Sequence, residues 1–321
     1  MHALITGIAG FAGSHLAEKL LRSGYRVYGT KLKGESKEKL RGFITSISIS
    51  DLDLRDLQAT RRLVRRVKPD VTFHLAAISS VGQSFAEPQL TFDVNLLGTV
   101  NLLEALRSLN TTGKILIASS SDVYGVVRTS DLPLKENASM RPVTPYGVSK
   151  AAVDMIGYQY FKSYAMPIVR VRAFNHTGPK QNPGFAIPDF CRQVAAIEEG
   201  GSKPVIRVGN LNAERDISDV RDIVRGYKIL AEKGKNGDIY HLCSGKAHKI
   251  RYILDHILSL SANSIEVRRN PKLMRPSETP RLVGDFSKAR RVAGYKPTYK
   301  LADTLRDTLD YWRTVVRRSK N

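Results

Sequence analysis

The chain is short of the residues that staple a fold or anchor it to something else. Its 321 residues contain only two cysteines, Cys191 and Cys243, enough for one disulfide at most. A disulfide-held scaffold is excluded, and two buried free thiols are the expectation. The seven histidines are dispersed and no Cys/His pair falls at ligand spacing, so nothing calls for a metal. No stretch approaches the ~20 apolar residues of a membrane span. The first residues run straight into a strand, with no basic leader ahead of an apolar core. A cytoplasmic protein without membrane contact is therefore expected. Acidic residues are also scarce: 30 Asp and Glu against 51 Lys and Arg leave a formal net charge of +21. Such an excess can mark a nucleic-acid binder. Here the basic residues are scattered, with one cluster at Arg61, Arg62, Arg65 and Arg66 and a tail at Arg317, Arg318 and Lys320. No aromatic residues interleave with them for base stacking. Nucleic acid is not the expected partner, and an anionic substrate with an anionic cofactor accounts for the charge equally well.

What is present is a chain with 42% hydrophobic and 25% charged residues, ordinary for a globular protein. Its first 170 or so residues alternate short β-branched runs with segments of helical period. The runs predict strands at 2–6, 26–30, 44–49, 71–75, 114–119 and 168–172. Helices are predicted at 13–22, 56–67, 89–108 and 146–164. This alternation implies right-handed crossovers and a parallel sheet covered on both faces, the doubly wound α/β arrangement of a Rossmann-type domain. The pattern changes after Arg172. Residues 175–185 read as a loop over an active site, followed by helices at 187–199 and 219–233 and strands at 204–208, 238–242 and 264–268. The expected division is a dinucleotide-binding domain at 1–174 and a smaller α/β substrate-binding domain over 175–321, with about 219–243 returning to the main sheet.

Two groups of residues carry chemistry. Thr6 closes the first strand, and Gly7, Gly10 and Gly13 follow at Gly-x-x-Gly-x-x-Gly spacing with Phe11 and Ala12 between the last two. Glycines there permit a tight turn and close approach of a pyrophosphate, and the helix that follows offers its N-terminal N–H groups. An acid usually sits about 20 residues on, at the end of the second strand, to hold the ribose 2′-hydroxyl of NAD. Val27-Tyr28-Gly29-Thr30-Lys31 has none. Lys31, with Lys33 nearby, is placed to face a 2′-phosphate, so NADP(H) is favoured and NAD(H) is the alternative. Asp53 and Leu54 fall where adenine would lie. Leu75, Ala76 and Ala77 leave room for cofactor backbone and ribose, and His74 reads as a strand-end histidine rather than a catalyst.

The second group is Tyr146 and Lys150, four apart on one helix face, with Ser120 upstream at the end of an apolar run. Pro145 suits the first helical position and Thr144 a cap. A tyrosine is a poor acid–base at neutral pH unless a nearby ammonium lowers its pKa. Lys150 is expected to do that and to hold the nicotinamide ribose, while Ser120 hydrogen-bonds the substrate oxygen.

In this order the motifs resemble the extended short-chain dehydrogenase/reductase family of nucleotide-sugar enzymes over essentially the whole chain. They are the glycine turn, His74-Leu-Ala-Ala77, Ser119-Ser-Ser-Asp-Val-Tyr-Gly125 and Pro145-Tyr-Gly-Val-Ser-Lys150. The second half is similar to the family's reductases of GDP-4-keto-6-deoxy-mannose. That likeness rests on Phe174-Asn-His-Thr-Gly-Pro179, 208–216, Asp219-Val-Arg-Asp222 and Arg275-Pro-Ser-Glu278. The resemblance implies a catalytic triad of Ser120, Tyr146 and Lys150. It implies Asn175 beside the sugar and nicotinamide, Arg215 and Arg275 on the diphosphate, and Glu278 at the nucleoside of a GDP-sugar. It also implies a homodimer through the helices near 89–108 and 146–164. The reaction expected is reduction of the 4-keto group to give GDP-rhamnose. A GDP-mannose 4,6-dehydratase and a 4-epimerase are the alternatives. The dehydratase needs an acid–base pair directly after the catalytic hydroxyl residue, with Glu second. Ser121 and Asp122 stand there, and a carboxylate one methylene short, displaced by ~1 Å, can cost about a hundredfold in rate.

Overall fold

The computed structural model describes residues 1–110, 112–273 and 279–319. β1 (His2–Thr6) runs through the glycine turn into α1 (Phe11–Leu21), followed by β2 (Arg26–Lys31) and β3 (Ile47–Asp51). α2 (Leu57–Val67) crosses back to β4 (Val71–His74). Three helical pieces follow, α3 (Val81–Ala86), α4 (Pro88–Phe92) and α5 (Gly98–Arg107), with a π-helical turn at Asp93–Leu97 between the last two. β5 (Lys114–Ser120), α6 (Pro145–Tyr164), β6 (Ile168–Ala173) and the short β7 (Asn175–Thr177) come next. The second half contains α7 (Ala186–Glu198), β8 (Val205–Val208), β9 (Glu214–Asp219), α8 (Val220–Lys233) and β10 (Ile239–Leu242). It ends with β11 (Ala247–Lys249), α9 (Ile250–Ser259), β12 (Glu266–Arg269), β13 (Arg281–Leu282), α10 (Ser287–Ala293) and α11 (Leu301–Arg318).

Seven parallel strands form the main sheet in the order β10-β6-β5-β4-β1-β2-β3. Every residue of β4 and of β6 is buried, as a sheet covered on both faces requires. One face packs Leu16, Leu20, Val224, Tyr227 and Leu230 of α1 and α8. The other packs Leu63, Leu102, Leu106, Val153 and Tyr160 of α2, α5 and α6. The strand order reverses between β1 and β4, and the crevice at that switch point is where such sheets take ligands. A second core, around Phe190, Val194, Ile253, Leu309 and Trp312, joins α7, α9 and α11. Beside it lie the small sheet β11-β9-β13, with β7 on β9, and the pair β12-β8. Cys191 and Cys243 are free and buried.

Three differences from the pattern reading have physical causes. The third strand starts at Ile47 because Ile44–Ser46 forms a 3₁₀ turn. The helix read at 89–108 runs unbroken from Pro88 to Arg107 but carries a π-helical bulge at Asp93–Leu97, where the Asn95 amide is drawn to groups outside the helix. Finally, β7, β9, β11 and β13 were not anticipated, since they are short or polar and carry no period-2 apolar signal.

Candidate active site

The glycine turn is built as tightly as its composition suggests. Gly7 has φ +73°, and a Cβ on it would come 2.9 Å from the Ala76 Cα. A Cβ on Gly13 would lie 2.2 Å from the Gly7 carbonyl oxygen, so no larger residue fits there. No side chain caps α1, and its first turn opens on the crevice at the switch point. This is a cradle for a pyrophosphate. Leu75 and Ala76 donate their N–H groups to Thr6 Oγ1 at 3.2 Å each, tying the end of β4 to the start of the turn. Thr6 in turn bonds His74 Nδ1 at 2.8 Å, and His74 Nε2 meets Thr99 Oγ1 at 2.8 Å. Both imidazole nitrogens are used, and burial pushes the pKa down to about 3, with the Lys150 charge acting in the same sense. His74 is thus a neutral structural histidine.

At the ribose end the structure corrects an expectation. Lys31 does not present its ammonium outward. It pairs with Asp51 Oδ1 at 2.7 Å and donates to the Leu32 carbonyl at 2.8 Å. Lys33 is exposed. The Asp53 carboxylate is likewise engaged, gripped by Arg55 through Nε at 3.1 and 3.0 Å and Nη2 at 2.6 Å. Leu54 is buried, its carbonyl held by Asn101 Nδ2 at 2.9 Å. Ala77 lies partly buried after Ala76. Phe11 stacks on His176 at 5.8 Å between ring centroids, and His15 Nε2 bonds the Pro179 carbonyl at 2.8 Å. Burial lowers His15 to about 4, so it stays neutral and acts as a strut between α1 and the segment after β7. The sequence reading passed over His15 and Asn101, since nothing in their spacing marks them, and took His176 only as a member of Phe174-Asn-His-Thr-Gly-Pro179.

Ser120, Tyr146 and Lys150 come together where β5 ends against α6. Pro145 opens α6, and Thr144 caps it by accepting from the Gly147 N–H at 2.9 Å. The Ser120 hydroxyl lies beside the Tyr146 phenol and accepts the Asp122 N–H at 3.1 Å. Lys150 is buried, its Nζ donating to the Ala118 carbonyl at 2.8 Å, and burial lowers its pKa to about 8. The expectation that Lys150 lowers the tyrosine pKa is not met. Tyr146 is pushed well above the usual phenol range, first by burial and then by the nearby Asp122 carboxylate, with the Ser120 hydroxyl opposing both. Behind the helix, Asn95 Nδ2 bonds Ser149 Oγ at 2.9 Å, and that hydroxyl donates to the Tyr146 carbonyl at 2.7 Å.

The residues expected on the substrate are more dispersed. Asn175 is exposed at the start of β7, opposite Ile217 of β9. Arg215, half-buried on β9, donates to the Glu214 carbonyl at 3.0 Å and lies opposite His248 of β11. Arg275 and Glu278 fall outside the described residues. Among the described residues no group of three or more His, Cys, Asp or Glu side chains could hold a metal ion, and no helix is long and apolar enough to cross a membrane.

Residues 4–308 match the model of the family described as GDP-mannose 4,6 dehydratase. A GDP-6-deoxy-D-mannose reductase of Pseudomonas aeruginosa is 34% identical over 249 residues, covering 78% of this chain and 82% of that protein. A GDP-mannose 4,6-dehydratase of Vibrio cholerae is 31% identical over 339 residues, covering 92% of this chain and 89% of its own. Among solved structures, RMD from Pseudomonas aeruginosa complexed with NADPH superposes with a TM-score of 0.86 at 30% identity, over 98% of this chain and 99% of that one. The Thermus thermophilus UDP-glucose 4-epimerase complexed with NAD gives 0.87 at 30% identity, over 98% and 99%. A parallel sheet with a glycine cradle at its switch point, matched along nearly its whole length, places the chain in the GDP-mannose 4,6-dehydratase family of extended short-chain dehydrogenase/reductase oxidoreductases.

Proposed function

We propose that this chain reduces the 4-keto group of GDP-4-keto-6-deoxy-D-mannose to give GDP-D-rhamnose. The observation that carries the reading is that Asp122, one methylene shorter than the Glu a dehydratase would use, stands second after Ser120, while Ser120, Tyr146 and Lys150 meet where β5 ends against α6. Burial and the Asp122 carboxylate hold the phenol protonated, with the Ser120 hydroxyl beside it. A protonated phenol suits a reaction that ends by giving a proton to an alkoxide. A dehydratase or an epimerase must begin by removing one from a hydroxyl. Reduced nicotinamide bound along the glycine turn supplies the hydride. Ser120 would orient the carbonyl oxygen, Tyr146 would protonate it, and Lys150 would hold the cofactor ribose. Asn175 would line the sugar, and Arg215 and Arg275 would clamp the diphosphate with guanidinium forks, with Glu278 at the nucleoside. Residues after 175 would form the substrate-binding part.

Dehydration is the second reading, favoured by the closeness of the Asp122 carboxylate to Tyr146. One assay separates the two. With GDP-4-keto-6-deoxy-D-mannose and either reduced cofactor, absorbance at 340 nm should fall as a GDP-deoxyhexose two mass units heavier accumulates. Conversion of GDP-mannose to the keto-sugar, without net cofactor consumption, would establish the dehydratase instead.

The working form is proposed to be a homodimer. Val148, Met155 and Tyr158 of α6 fall along one helical stripe and are exposed, as are Leu97 and Phe85 on the helical pieces before α5. A second copy of the chain is the partner that would cover them.

A further inference from the structure

The end of β2 has no acid for the adenosine ribose, yet the neighbouring strand supplies one. Lys31 and Asp51 are register partners at the ends of β2 and β3. Their side chains are in contact, but they are not equally accessible. The lysine is 3% exposed and the aspartate 51%. The outermost fixed charge at this edge is therefore the carboxylate, with the ammonium beneath it committed to Asp51 and to the Leu32 carbonyl. Lys33 and Lys37 lie within electrostatic reach of Asp51 and help keep it ionised, but both are exposed on the loop after β2. Long solvated side chains of that kind lose rotamer freedom on binding and are screened by salt. The carboxylate is tied to the cofactor cradle. The Ile8 N–H of the glycine turn donates to the Thr30 carbonyl at 3.0 Å, and the Leu52 N–H donates to the Lys31 carbonyl at 2.8 Å. The turn, the end of β2 and the end of β3 thus form one continuous hydrogen-bonded unit.

We propose that Asp51 reads the 2′ position of the adenosine ribose, accepting a 2′-hydroxyl and opposing a 2′-phosphate, so that this chain takes NAD(H) in preference to NADP(H). The acid that other NAD sites keep at the end of the second strand is here delivered from the third, and Lys31 serves to hold it. The inference rests on the cofactor cradle and is independent of which sugar is reduced.

The test is equilibrium binding of NADH and of NADPH to the full chain without sugar, followed by nicotinamide fluorescence. The wild type should bind NADH at least as tightly as NADPH. Asp51→Asn keeps the size of the side chain, removes the repelling charge and releases Lys31. It should move the ratio of the two dissociation constants toward NADPH by tenfold or more. A double variant, Lys31→Met with Asp51→Asn, lacks both charges and should fall between the two. A wild type that holds NADPH the tighter overturns the proposal. So does an Asp51→Asn protein that melts normally with its ratio unchanged. Because no sugar is present, a failed reductase assay leaves this result standing.

Discussion

Lys150 is a charge held where a charge is costly. Its ammonium is buried against one carbonyl, and its pKa falls to about 8. The stability consequence follows from proton counting. Between about 8 and the ordinary lysine value of 10.5, the unfolded chain carries a proton at this site that the folded chain has shed. Folding stability therefore rises with pH across that window and is lowest below it. Lys150→Met should accordingly melt higher than the wild type at pH 7, with an advantage that fades as pH climbs toward 10.5, while turnover is lost. Melting curves at several pH values check this, and a variant that melts lower at pH 7 would show that the bond to Ala118 outweighs the burial penalty. Tyr146→Phe separates chemistry from binding. Turnover should drop ~10²–10⁴-fold, the usual worth of a positioned general acid. Cofactor affinity, measured by titration, should stay within a few-fold. Ser120, Tyr146 and Lys150 could be picked from the sequence because four-residue spacing puts two of them on one helix face and an apolar run delivers the third to a strand end. The direction of Lys31 could not, since it depends on β3 lying beside β2 with Asp51 in register.

The π-helical turn at Asp93–Leu97 shows how one side chain can reshape an element. Asn95 Oδ1 accepts the Ile78 N–H at 2.8 Å, and Nδ2 donates to the Ile78 carbonyl at 3.1 Å and to Ser149 at 2.9 Å. It thereby clamps the segment after β4 to the helix that carries Tyr146. Asn95→Leu would leave these buried groups without partners, at ~1–3 kcal/mol for each that stays dry. A loss of about 2–4 kcal/mol in chemical denaturation is expected, with turnover reduced because the Ser149 hydroxyl, which braces the Tyr146 carbonyl, loses the Asn95 donor that orients it. Asn95→Asp keeps the acceptor for Ile78 and should fall between; equal stability in all three proteins would refute the clamp. The apolar pattern over 89–108 gave the helix but no warning of its π bulge, because the cause is hydrogen bonding to residues 17 and 54 positions away. The same blindness hid β9, where Glu-Arg-Asp-Ile-Ser-Asp reads as a polar motif. Its buried Asp216 is accounted for by the Ser244 hydroxyl at 2.5 Å and by the N–H groups of Ser244, Gly245 and Gly284, which converge on it at 2.8, 2.9 and 3.2 Å. Strands of the main sheet were legible because burial on both faces forces a continuous apolar run.

At the scale of the whole molecule, apolar exposure and net charge pull against each other. Met155 is 61% exposed in the single chain, on a helix whose opposite side is sealed into the sheet by Val153 and Tyr160. Pairing two chains through this stripe removes apolar surface from water, but it also brings together two bodies of formal charge +21. Repulsion between them is long-ranged and screened over ~10 Å at 0.1 M salt, whereas the apolar contact is not. Dimerisation should therefore tighten as salt rises, the reverse of what ion pairs across the interface would give. Met155→Glu should shift the equilibrium to monomer, measured by sedimentation at micromolar concentration. The isolated fold should survive the change, since the side chain is not part of either core. The glycine turn, Asp51, Ser120, Tyr146 and Lys150 all belong to one chain, so the monomeric variant should still bind reduced nicotinamide cofactor. A Met155→Glu protein that sediments as a dimer would move the interface off α6. One that dissociates and also loses cofactor affinity would mean that pairing shapes the site as well as covering the stripe.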